Sequence, residues 1–255
     1  MDSIMTYGIA INPLIPGRKD GSDRAEMVTQ LLFGELYQVL DEREKWIFIE
    51  NQKDGYQCWI DRKQHFGLDE GEFKSLLKSE RSITAEPLGE TTGKTKIKIP
   101  FGSQVNFKAE PQDLIDTFKY SGKSADFNYS EIQNYAKLFL EAPYLWGGKS
   151  ILGIDCSGLC QVVFSACGID LPRDAYQQAD IGETMEFLEE AKTGDLAYFD
   201  NKDGKITHVG ILLSKDEIIH ASGKVRIDKI DHQGIFNTEL KEYTHKLRII
   251  KRISP

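Results

Sequence analysis

The sequence predicts an α+β protein in which small all-β modules precede a domain of helices packed on an antiparallel sheet. Three observations lead to this fold class. Short strand-forming runs with turn signals extend to about residue 123, apolar residues at helical spacing begin near residue 124, and strand-forming runs return after residue 195. A length of 255 residues and a hydrophobic content of 40% allow one to three compact units with substantial cores.

The first module is predicted from its hairpin. The runs Trp46–Glu50 and Tyr56–Asp61 flank the turn Lys53-Asp54-Gly55, and an Asp-Gly turn between aromatic and β-branched runs favours a hairpin. Strands this short need closure, which predicts a barrel over residues 1–63. A weaker copy of the same pattern follows and predicts a second barrel over residues 64–123.

The third domain is predicted over residues 124–255, with helices first and strands after. A first helix begins near Ser130 and ends before Pro143, which cannot continue a helix. A second helix covers Cys156 to Cys167 and ends at Gly168, a residue favoured after a helix C-terminus. Three strands are predicted at 195–199, 206–213 and 217–221.

Charge and composition make several classes of partner unfavourable. Forty Asp and Glu residues against 32 Lys and Arg residues give a net charge of −8, so neither nucleic acid nor an anionic membrane is expected as the main partner. No apolar run reaches the roughly 18 residues that a membrane span needs. Four cysteines are too few for a disulfide-stapled scaffold, and the oligomeric state stays open.

The first residues carry neither a basic region nor a long apolar stretch of the kind found in a secretory signal. Two expectations about location follow. If this N-terminus is authentic, the expected location is the cytoplasm. If a leader was removed, the expected location is the cell envelope or the periplasm.

Cys156 is the strongest candidate for a nucleophile. A thiol becomes reactive as a thiolate, which requires a helix N-terminus or a nearby imidazolium to lower its pKa from about 8.5 towards about 3.5–7.5. Cys156 stands at the start of the predicted second helix, where backbone N–H groups favour an anion. Cys160 and Cys167 lie further inside the helix on its apolar face, so we expect them in the core and expect a lowered pKa for Cys156.

His208 and His220 are the candidates for a base and the residue that orients it. They lie on two neighbouring predicted strands, and a second imidazole can accept the hydrogen bond that fixes the tautomer of the first. Both rings face one side of the hairpin only if His220 pairs with position 210 or 212, which requires an odd loop or a bulge. The remaining histidines, His65, His232 and His245, stand in polar surroundings and are expected in solvent.

The cysteine cluster allows two other interpretations. Cys156 could be a buried structural cysteine, although two histidines at suitable strand positions argue against this. A zinc site from Cys156, Cys160, His208 and His220 is disfavoured, because two thiols four residues apart lack the usual C-x-x-C spacing. We therefore expect no metal and no cofactor.

Six short motifs follow one another along the third domain: Tyr144-x-Trp146-Gly147-Gly148, Asp155-Cys156-Ser157-Gly158-Leu159, Leu171-Pro172-Arg173, Thr193-Gly194-Asp195-Leu196, Thr207-His208-Val209-Gly210 and Ile219-His220-Ala221. Their order and spacing resemble those of the NlpC-type bacterial cell-wall cysteine peptidases. Gly34-Glu35 and Asp54-Gly55-Tyr56-x-x-Trp59-Ile60 are similar to positions in bacterial SH3-like modules. The resemblance implies a papain-like catalytic domain preceded by two SH3-like barrels, the first of which completes the substrate site.

The resemblance also implies the reaction. Members with N-terminal SH3-like modules include γ-D-glutamyl-L-diamino-acid endopeptidases, which cut the γ-D-glutamyl–diamino-acid bond of murein peptides with a free N-terminal L-Ala. Cys156 would be the nucleophile that forms a thioester acyl-enzyme, His208 the general base and then acid, and His220 the orienting residue. The partner would be the murein-derived peptide L-Ala-γ-D-Glu-diamino acid, with lysine and diaminopimelate both open as the leaving group.

The resemblance implies eight substrate-binding residues. Tyr144 and Trp146 would line the cleft, and the Tyr144 hydroxyl could add to the oxyanion site. Three pairs of residues would bind the substrate. Asp155 and Ser157 would bind the α-amine of L-Ala, and Arg173 and Asp174 would lie near the α-carboxylate of γ-D-Glu. Glu26 and Tyr56 of the first barrel would close the amine end. Two other functions stay open at this point: a non-catalytic cell-wall-binding or adhesion protein, and an acyltransferase, since thiol–imidazole pairs also serve acyl exchange.

Overall fold

A computed structural model describes residues 5–80, 82–105 and 112–253. The chain forms two compact units. The first comprises Met1–Ala125 and Trp146–Ile151, and the second comprises Asp126–Leu145 and Leu152–Pro255. The segment Trp146–Ile151 therefore belongs to the first unit, although the segments on both sides of it in the sequence belong to the second. No helix among the described residues is long and apolar enough to cross a membrane.

The first unit is built on a seven-stranded antiparallel sheet. Its strands are β1 (Tyr7–Ile9), β2 (Leu14–Arg18), β3 (Met27–Leu32), β4 (Leu36–Glu42), β5 (Trp46–Asn51), β6 (Gln57–Asp61) and β7 (Phe66–Leu68), in the order β3-β2-β6-β5-β4-β1-β7. The predicted hairpin is confirmed, because Ile49 of β5 pairs with Cys58 of β6 and the turn residue Gly55 has a φ of +68°. One core cluster of this unit consists of Ala10, Ile15, Leu31, Tyr37, Ile47, Ile49, Cys58 and Ile60.

Residues 64–123 contain helices that the all-β prediction for this stretch lacks. The elements are a 3₁₀ turn at Arg62–Gln64, then α1 (Glu70–Lys78), β8 (Leu88–Glu90), β9 (Lys98–Pro100) and α2 (Gln112–Thr117). α1 begins in a capping box between Asp69 and Glu72, and it buries Phe73 and Leu76, which are spaced three residues apart. β8 and β9 form a two-stranded antiparallel sheet. Residues 106–111 lie outside the described part, and a second SH3-like barrel with these boundaries stays a prediction.

A buried ion pair ties the segment Trp146–Ile151 to the sheet within the first unit. The segment carries β10 (Lys149–Ser150), and the Lys149 Nζ lies 3.0 Å from Glu35 Oε1, with both side chains 0% exposed. The side chain of Asn51 donates to Glu35 Oε2 at 2.9 Å, and Lys53 Nζ lies 3.7 Å from Glu35 Oε1. Burial alone would raise the pKa of Glu35, but the two lysines outweigh it and hold the pKa below its ordinary value.

The second unit begins with helices and ends with strands, as predicted for the third domain. A 3₁₀ turn at Tyr129–Glu131 leads into α3 (Ile132–Lys137), followed by β11 (Gly153–Ile154), α4 (Cys156–Ala166), α5 (Ala175–Gln178), β12 (Glu183–Met185) and a 3₁₀ turn at Leu188–Glu190. The strands β13 (Leu196–Asp200), β14 (Ile206–Leu212), β15 (Glu217–Ser222), β16 (Lys224–Asp231), β17 (Gly234–Asn237) and β18 (Glu242–Arg252) follow. The capping residue before the first turn is Asn128, whose side chain accepts a hydrogen bond from Ser130 N, so the turn begins at Tyr129, one residue before the start predicted near Ser130.

The sheet of the second unit closes on itself. Its order is β12-β18-β13-β14-β15-β16-β17, and β17 also pairs with β18, so that six strands form a ring. α4 packs against β14 and β15, and α3 packs against α4. The sequence predicted β13, β14 and β15 but not the three strands that complete the ring, because β16 and β18 carry many charged residues.

The buried ion pair generates a prediction about the first unit. Substituting Glu35→Ala leaves Lys149 and Lys53 buried without their carboxylate, and we expect the free energy of unfolding to fall by about 3–5 kcal/mol. The three tryptophans, Trp46, Trp59 and Trp146, all lie in this unit, so urea unfolding followed by tryptophan fluorescence measures it selectively.

The matched control is Glu70→Ala, which removes an exposed partner of Lys74 and should change stability little. Equal unfolding midpoints for the two variants would show that the buried pair contributes no more than the exposed one.

Candidate active site

Cys156 is the first residue of α4, and every residue of this helix is buried. Asp155 caps the helix, because its Oδ1 accepts a hydrogen bond from Gly158 N at 2.7 Å. The helix ends before Gly168, which has a φ of +87°. Cys156 itself is 6% exposed, while Cys160 and Cys167 are buried as expected for core residues.

The expectation of a lowered thiol pKa is wrong. Burial, followed by the charge of Asp155, raises the pKa of Cys156 to about 12, and hydrogen bonds from the backbone amides of Val209 and Ser157 offset only part of this. At neutral pH the residue is therefore a thiol, which must give its proton to a base as it attacks. The contact with the Val209 amide places the sulphur beside β14, next to the residue that carries the candidate base.

His208 and His220 are brought together as the hairpin register requires. Gly210 of β14 pairs with His220 of β15, one of the two pairings that the sequence permits, and the odd loop between Leu213 and Glu217 has the three residues 214–216. His208 Nε2 lies 2.8 Å from His220 Nδ1, and both side chains are buried. Burial, together with His220 and His245 nearby, holds the pKa of His208 well below its usual range, so the ring is a neutral base at pH 7.

Two residues that the sequence analysis did not single out stand behind His220. Asp228 Oδ2 lies 3.0 Å from His220 Nε2, and the Arg226 Nε lies 2.8 Å from the same oxygen. Both come from β16, on which Arg226 pairs with His220 and Asp228 is the next residue on the same face. Strand alternation around Arg226 and Asp228, directly after the turn at Gly223, was the signal that could have identified them.

Asp155, Ser157 and Arg173 form one buried cluster. Arg173 donates to both carboxylate oxygens of Asp155, at 2.6 and 3.1 Å, and to Ser157 Oγ at 2.9 Å. Arg173 is 1% exposed. The three residues assigned to the substrate by resemblance therefore bind one another in this structure, and Arg173 has little surface left for a ligand.

The other residues implied for the substrate site lie in different environments. Tyr144 is half-buried, and burial, followed by the nearby acidic groups Cys156 and Asp155, raises its pKa to about 12. Asp174 precedes α5 and its backbone N–H donates to Gln177 Oε1 at 3.1 Å.

Three residues implied for the site belong to the first unit. Trp146 is 58% exposed, Glu26 is 44% exposed and lies 3.8 Å from Lys19, and Tyr56 is half-buried in the turn before β6. A shared substrate site that includes these three residues stays a prediction.

His245 was expected in solvent, but the structure places it in the histidine cluster. Its ring stacks on that of His208, with centroids 4.1 Å apart and planes 25° apart, and burial together with His220 lowers its pKa to about 4. The ring nitrogens of His208, His220 and His245 lie within 4.8 Å of one another, the spacing of a possible metal site.

The geometry of the cluster fits a hydrogen-bonded relay better than a metal centre. Tetrahedral zinc holds nitrogens about 3.3–3.4 Å apart, given Zn–N bonds of about 2.0–2.1 Å. His208 Nε2 and His220 Nδ1 instead lie 2.8 Å apart.

The raised pKa of Cys156 generates a prediction about its alkylation. We expect the rate of alkylation by iodoacetamide, measured by mass spectrometry of the Cys156 peptide, to rise about tenfold per pH unit between about pH 7 and 10. Glutathione under the same conditions is the reference, since an ordinary thiol with a pKa of about 8.5 levels off within that range. A plateau for Cys156 below pH 7 would contradict the burial argument.

The Arg173 cluster generates a prediction about stability. Substituting Arg173→Met leaves Asp155 buried without its charge partner, and we expect α4 to be destabilised by about 3–5 kcal/mol. Hydrogen exchange of the α4 amides measures this in the second unit. Arg248→Met is the control, because Arg248 is 63% exposed and 3.8 Å from Asp200. If α4 exchanges alike in both variants, Arg173 does not stabilise this helix.

Comparisons with known proteins agree with this architecture. The NlpC/P60 family profile matches residues 141–244, and the bacterial dipeptidyl-peptidase SH3 domain profile matches residues 17–64. The gamma-D-glutamyl-L-lysine dipeptidyl-peptidase of Bacillus subtilis is 32% identical over 76% of this chain and 71% of its own length. Dipeptidyl-peptidase 6 of Lysinibacillus sphaericus is 26% identical over 82% of this chain and 86% of its own length.

A solved structure has the same fold. The crystal structure of an NlpC/P60 family protein from Bacillus cereus superimposes with a TM-score of 0.77 at 17% identity, covering 98% of this chain and 100% of the other. The SH3 match, the catalytic-domain match and the B. subtilis relative together extend over most of the sequence. This chain belongs to the NlpC/P60 family, and it is a peptidase with a bacterial SH3-like domain before its catalytic domain.

Proposed function

We propose that this chain is a cysteine peptidase that hydrolyses the γ-D-glutamyl–diamino-acid bond of murein-derived peptides with a free N-terminal L-Ala. The observation that carries the proposal is the buried Cys156 at the start of α4 beside the strand of His208, whose ring is hydrogen-bonded to His220 at 2.8 Å. The names of the relatives support the bond class, since two are gamma-D-glutamyl-L-lysine dipeptidyl-peptidases.

The reaction proceeds by transfer of the D-Glu acyl group to the thiol of Cys156 and then to water, and the thiol–imidazole pair is neutral at the start. His208 takes the proton of Cys156 as the sulphur attacks the γ-carbonyl carbon of D-Glu, and a C–S bond forms. The oxyanion accepts a hydrogen bond from the backbone N–H of Cys156, at the N-terminus of α4. As the C–N bond breaks, His208 gives the proton to the departing amine of the diamino acid. A water molecule, deprotonated by His208, then hydrolyses the thioester and releases the peptide and the thiol.

Selection for a free amine rests on the acidic end of the site. The N-terminal ammonium of L-Ala needs a carboxylate partner when it leaves water, and Asp155 with Ser157 supplies the polar group beside the nucleophile. Arg173 holds both of these side chains in place by the three hydrogen bonds described above. In this proposal Arg173 orients the amine-binding residues and does not itself contact the D-Glu carboxylate.

The test compares peptides that differ at one group. We expect L-Ala-γ-D-Glu-L-Lys, or its meso-diaminopimelate analogue, to be cleaved at the γ-D-glutamyl bond and the N-acetylated peptides to be cleaved at least about 10²-fold more slowly. Acetylation removes the ammonium, so the buried carboxylate loses its ion pair with the substrate, which costs several kcal/mol and corresponds to such a factor. Liquid chromatography with mass spectrometry of the released diamino acid measures the reaction.

Cys156→Ala should reduce the rate by at least about 10³-fold, since the nucleophile is removed. Cys167→Ala is the matched control, because Cys167 is buried at the other end of α4 and should retain the rate. Cleavage of neither peptide would favour a non-catalytic wall-binding protein, and transfer of the acyl group to an added amine would favour an acyltransferase. Equal rates for free and acetylated peptides would overturn the proposed amine selection.

A further inference from the structure

Behind His208 the structure continues a line of buried polar groups that ends in charged residues. His208 Nε2 lies 2.8 Å from His220 Nδ1, and His220 Nε2 lies 3.0 Å from Asp228 Oδ2. Arg226 contacts both oxygens of Asp228, with Nε 2.8 Å from Oδ2 and Nη2 3.1 Å from Oδ1. Glu239 lies 3.2 Å from Arg226 Nη1 at the outer end of the line.

The chemistry of the last acceptor determines where every proton lies. An ionised carboxylate only accepts, so His220 must carry its proton on Nε2 and donate it to Asp228. In a neutral His220 ring Nδ1 is then an acceptor, which requires His208 to carry its proton on Nε2. The remaining ring nitrogen of His208, Nδ1, has the lone pair that can take a proton from a thiol. With the opposite tautomers, His208 would present an N–H and could not act as a base.

Asp228 stays ionised because Arg226 compensates for its burial. The carboxylate is 3% exposed, and burial alone would raise its pKa. Hydrogen bonds from His220 and Arg226 outweigh this and hold the pKa of Asp228 below its ordinary value. A buried carboxylate without such partners would take up a proton and become a hydrogen-bond donor, so it would no longer fix the tautomer of His220.

We propose that Asp228, held by Arg226, is a positioning residue for the peptidase reaction, which fixes the tautomers of His220 and His208 so that His208 Nδ1 accepts the Cys156 proton. The inference rests on the proposed function of Cys156 and His208. It extends a three-residue site to a line of four, Cys156, His208, His220 and Asp228. The negative charge of Asp228 also stabilises the imidazolium that forms on His208 while the thiol attacks.

Other titratable groups face this line and share its pH response. His245 of β18 stacks on His208, with centroids 4.1 Å apart, and Cys156 of α4 contacts the backbone amide of Val209, the residue after His208. Arg226 and Glu239 stand behind Asp228. Of these groups, Asp228 is the one whose oxygen accepts the hydrogen bond from His220 Nε2. Removing the Asp228 carboxylate should therefore change the tautomers while the stacked His245 remains.

The kinetic test uses Asp228→Ala and the isosteric Asp228→Asn. We expect kcat to fall by about 10²–10⁴-fold in both variants with KM changed less than about threefold, since Asp228 orients the base and does not touch the substrate. The acid limb of kcat/KM should move to lower pH, because the imidazolium form of His208 loses a stabilising negative charge. The amide introduced by Asp228→Asn has one accepting oxygen and cannot accept from His220 at one position and from Arg226 Nη2 at the other, so this variant does not restore the rate.

A second measurement reports the tautomers without any substrate. In protein labelled with ¹⁵N-histidine, the ring nitrogen shifts of His208 and His220 should show Nε2–H for both residues in the wild type. In Asp228→Asn, His220 should show Nδ1–H or a mixture. The signals are assigned by single substitution of each of the five histidines.

Glu217→Gln is the matched control. It removes one negative charge from β15, the strand of His220, at an exposed pair 2.8 Å from Lys229, and it should leave kcat and both tautomers unchanged. Wild-type kcat in folded Asp228→Ala, a rise in KM at constant kcat, or unchanged tautomers in Asp228→Asn would each overturn the inference. If the wild type cleaves no peptide, the proposed function fails, while the tautomer measurement still decides the role of Asp228.

Discussion

The burial of ionisable groups around Cys156 is the constraint on which the site depends. The same loss of hydration raises the pKa of the Cys156 thiol and lowers that of His208, so both partners are neutral at pH 7. Charges form only when the sulphur attacks, on the imidazole and on the substrate oxygen. The surroundings are buried, so each backbone dipole stabilises these charges more strongly than it would in water. Before the attack, the protonation state of the pair therefore resembles that of a serine hydroxyl and an imidazole more than that of a preformed thiolate and imidazolium.

Strand register is the second requirement, because it places the two imidazoles on one face of the sheet. Gly210 is the residue opposite His220, and a Cβ at this position would lie 2.9 Å from His220 Cβ and 2.7 Å from Ile218 Cδ1. A side chain at position 210 would displace His220 and lengthen its hydrogen bond to His208. The absence of a side chain at Gly210 thus leaves room for His220 to bind His208.

Local patterns were enough to predict the elements that carry the nucleophile and the base. The hairpin of β5 and β6 and the helix α4 depend on turn residues and periodicity, which are visible in a short stretch of sequence. For two rings on one face, strand parity left positions 210 and 212 open as the partner of His220, and the structure pairs it with Gly210. The thiol pKa could not be predicted in this way. A helix terminus acts within one turn, whereas desolvation depends on everything packed around Cys156.

The residues that were missed make their contacts through tertiary structure. Asp228 lies in Lys224–Asp231, where charged and apolar residues mix, and it has a partner only because β16 pairs with β15. His245 stands in an equally polar run, yet β18 brings its ring against His208. The alternation around Asp228 could indicate a strand, but neither stretch of sequence shows which residues will face the histidines. Polar residues on a strand next to a candidate histidine are therefore candidates for orienting it, since the ring of a base needs a hydrogen-bond acceptor that fixes its tautomer.

Asp155 shows how one side chain next to the nucleophile meets opposing demands. As the cap of α4 it stabilises the helix that presents Cys156, but its negative charge also raises the thiol pKa. Arg173, which binds both oxygens of Asp155, lowers the same pKa and so offsets the charge of the cap. An arginine suits this place because its planar fork bonds both carboxylate oxygens while it stays charged in a buried site. The buried pair therefore lets an acidic cap stand beside a nucleophile that must become an anion.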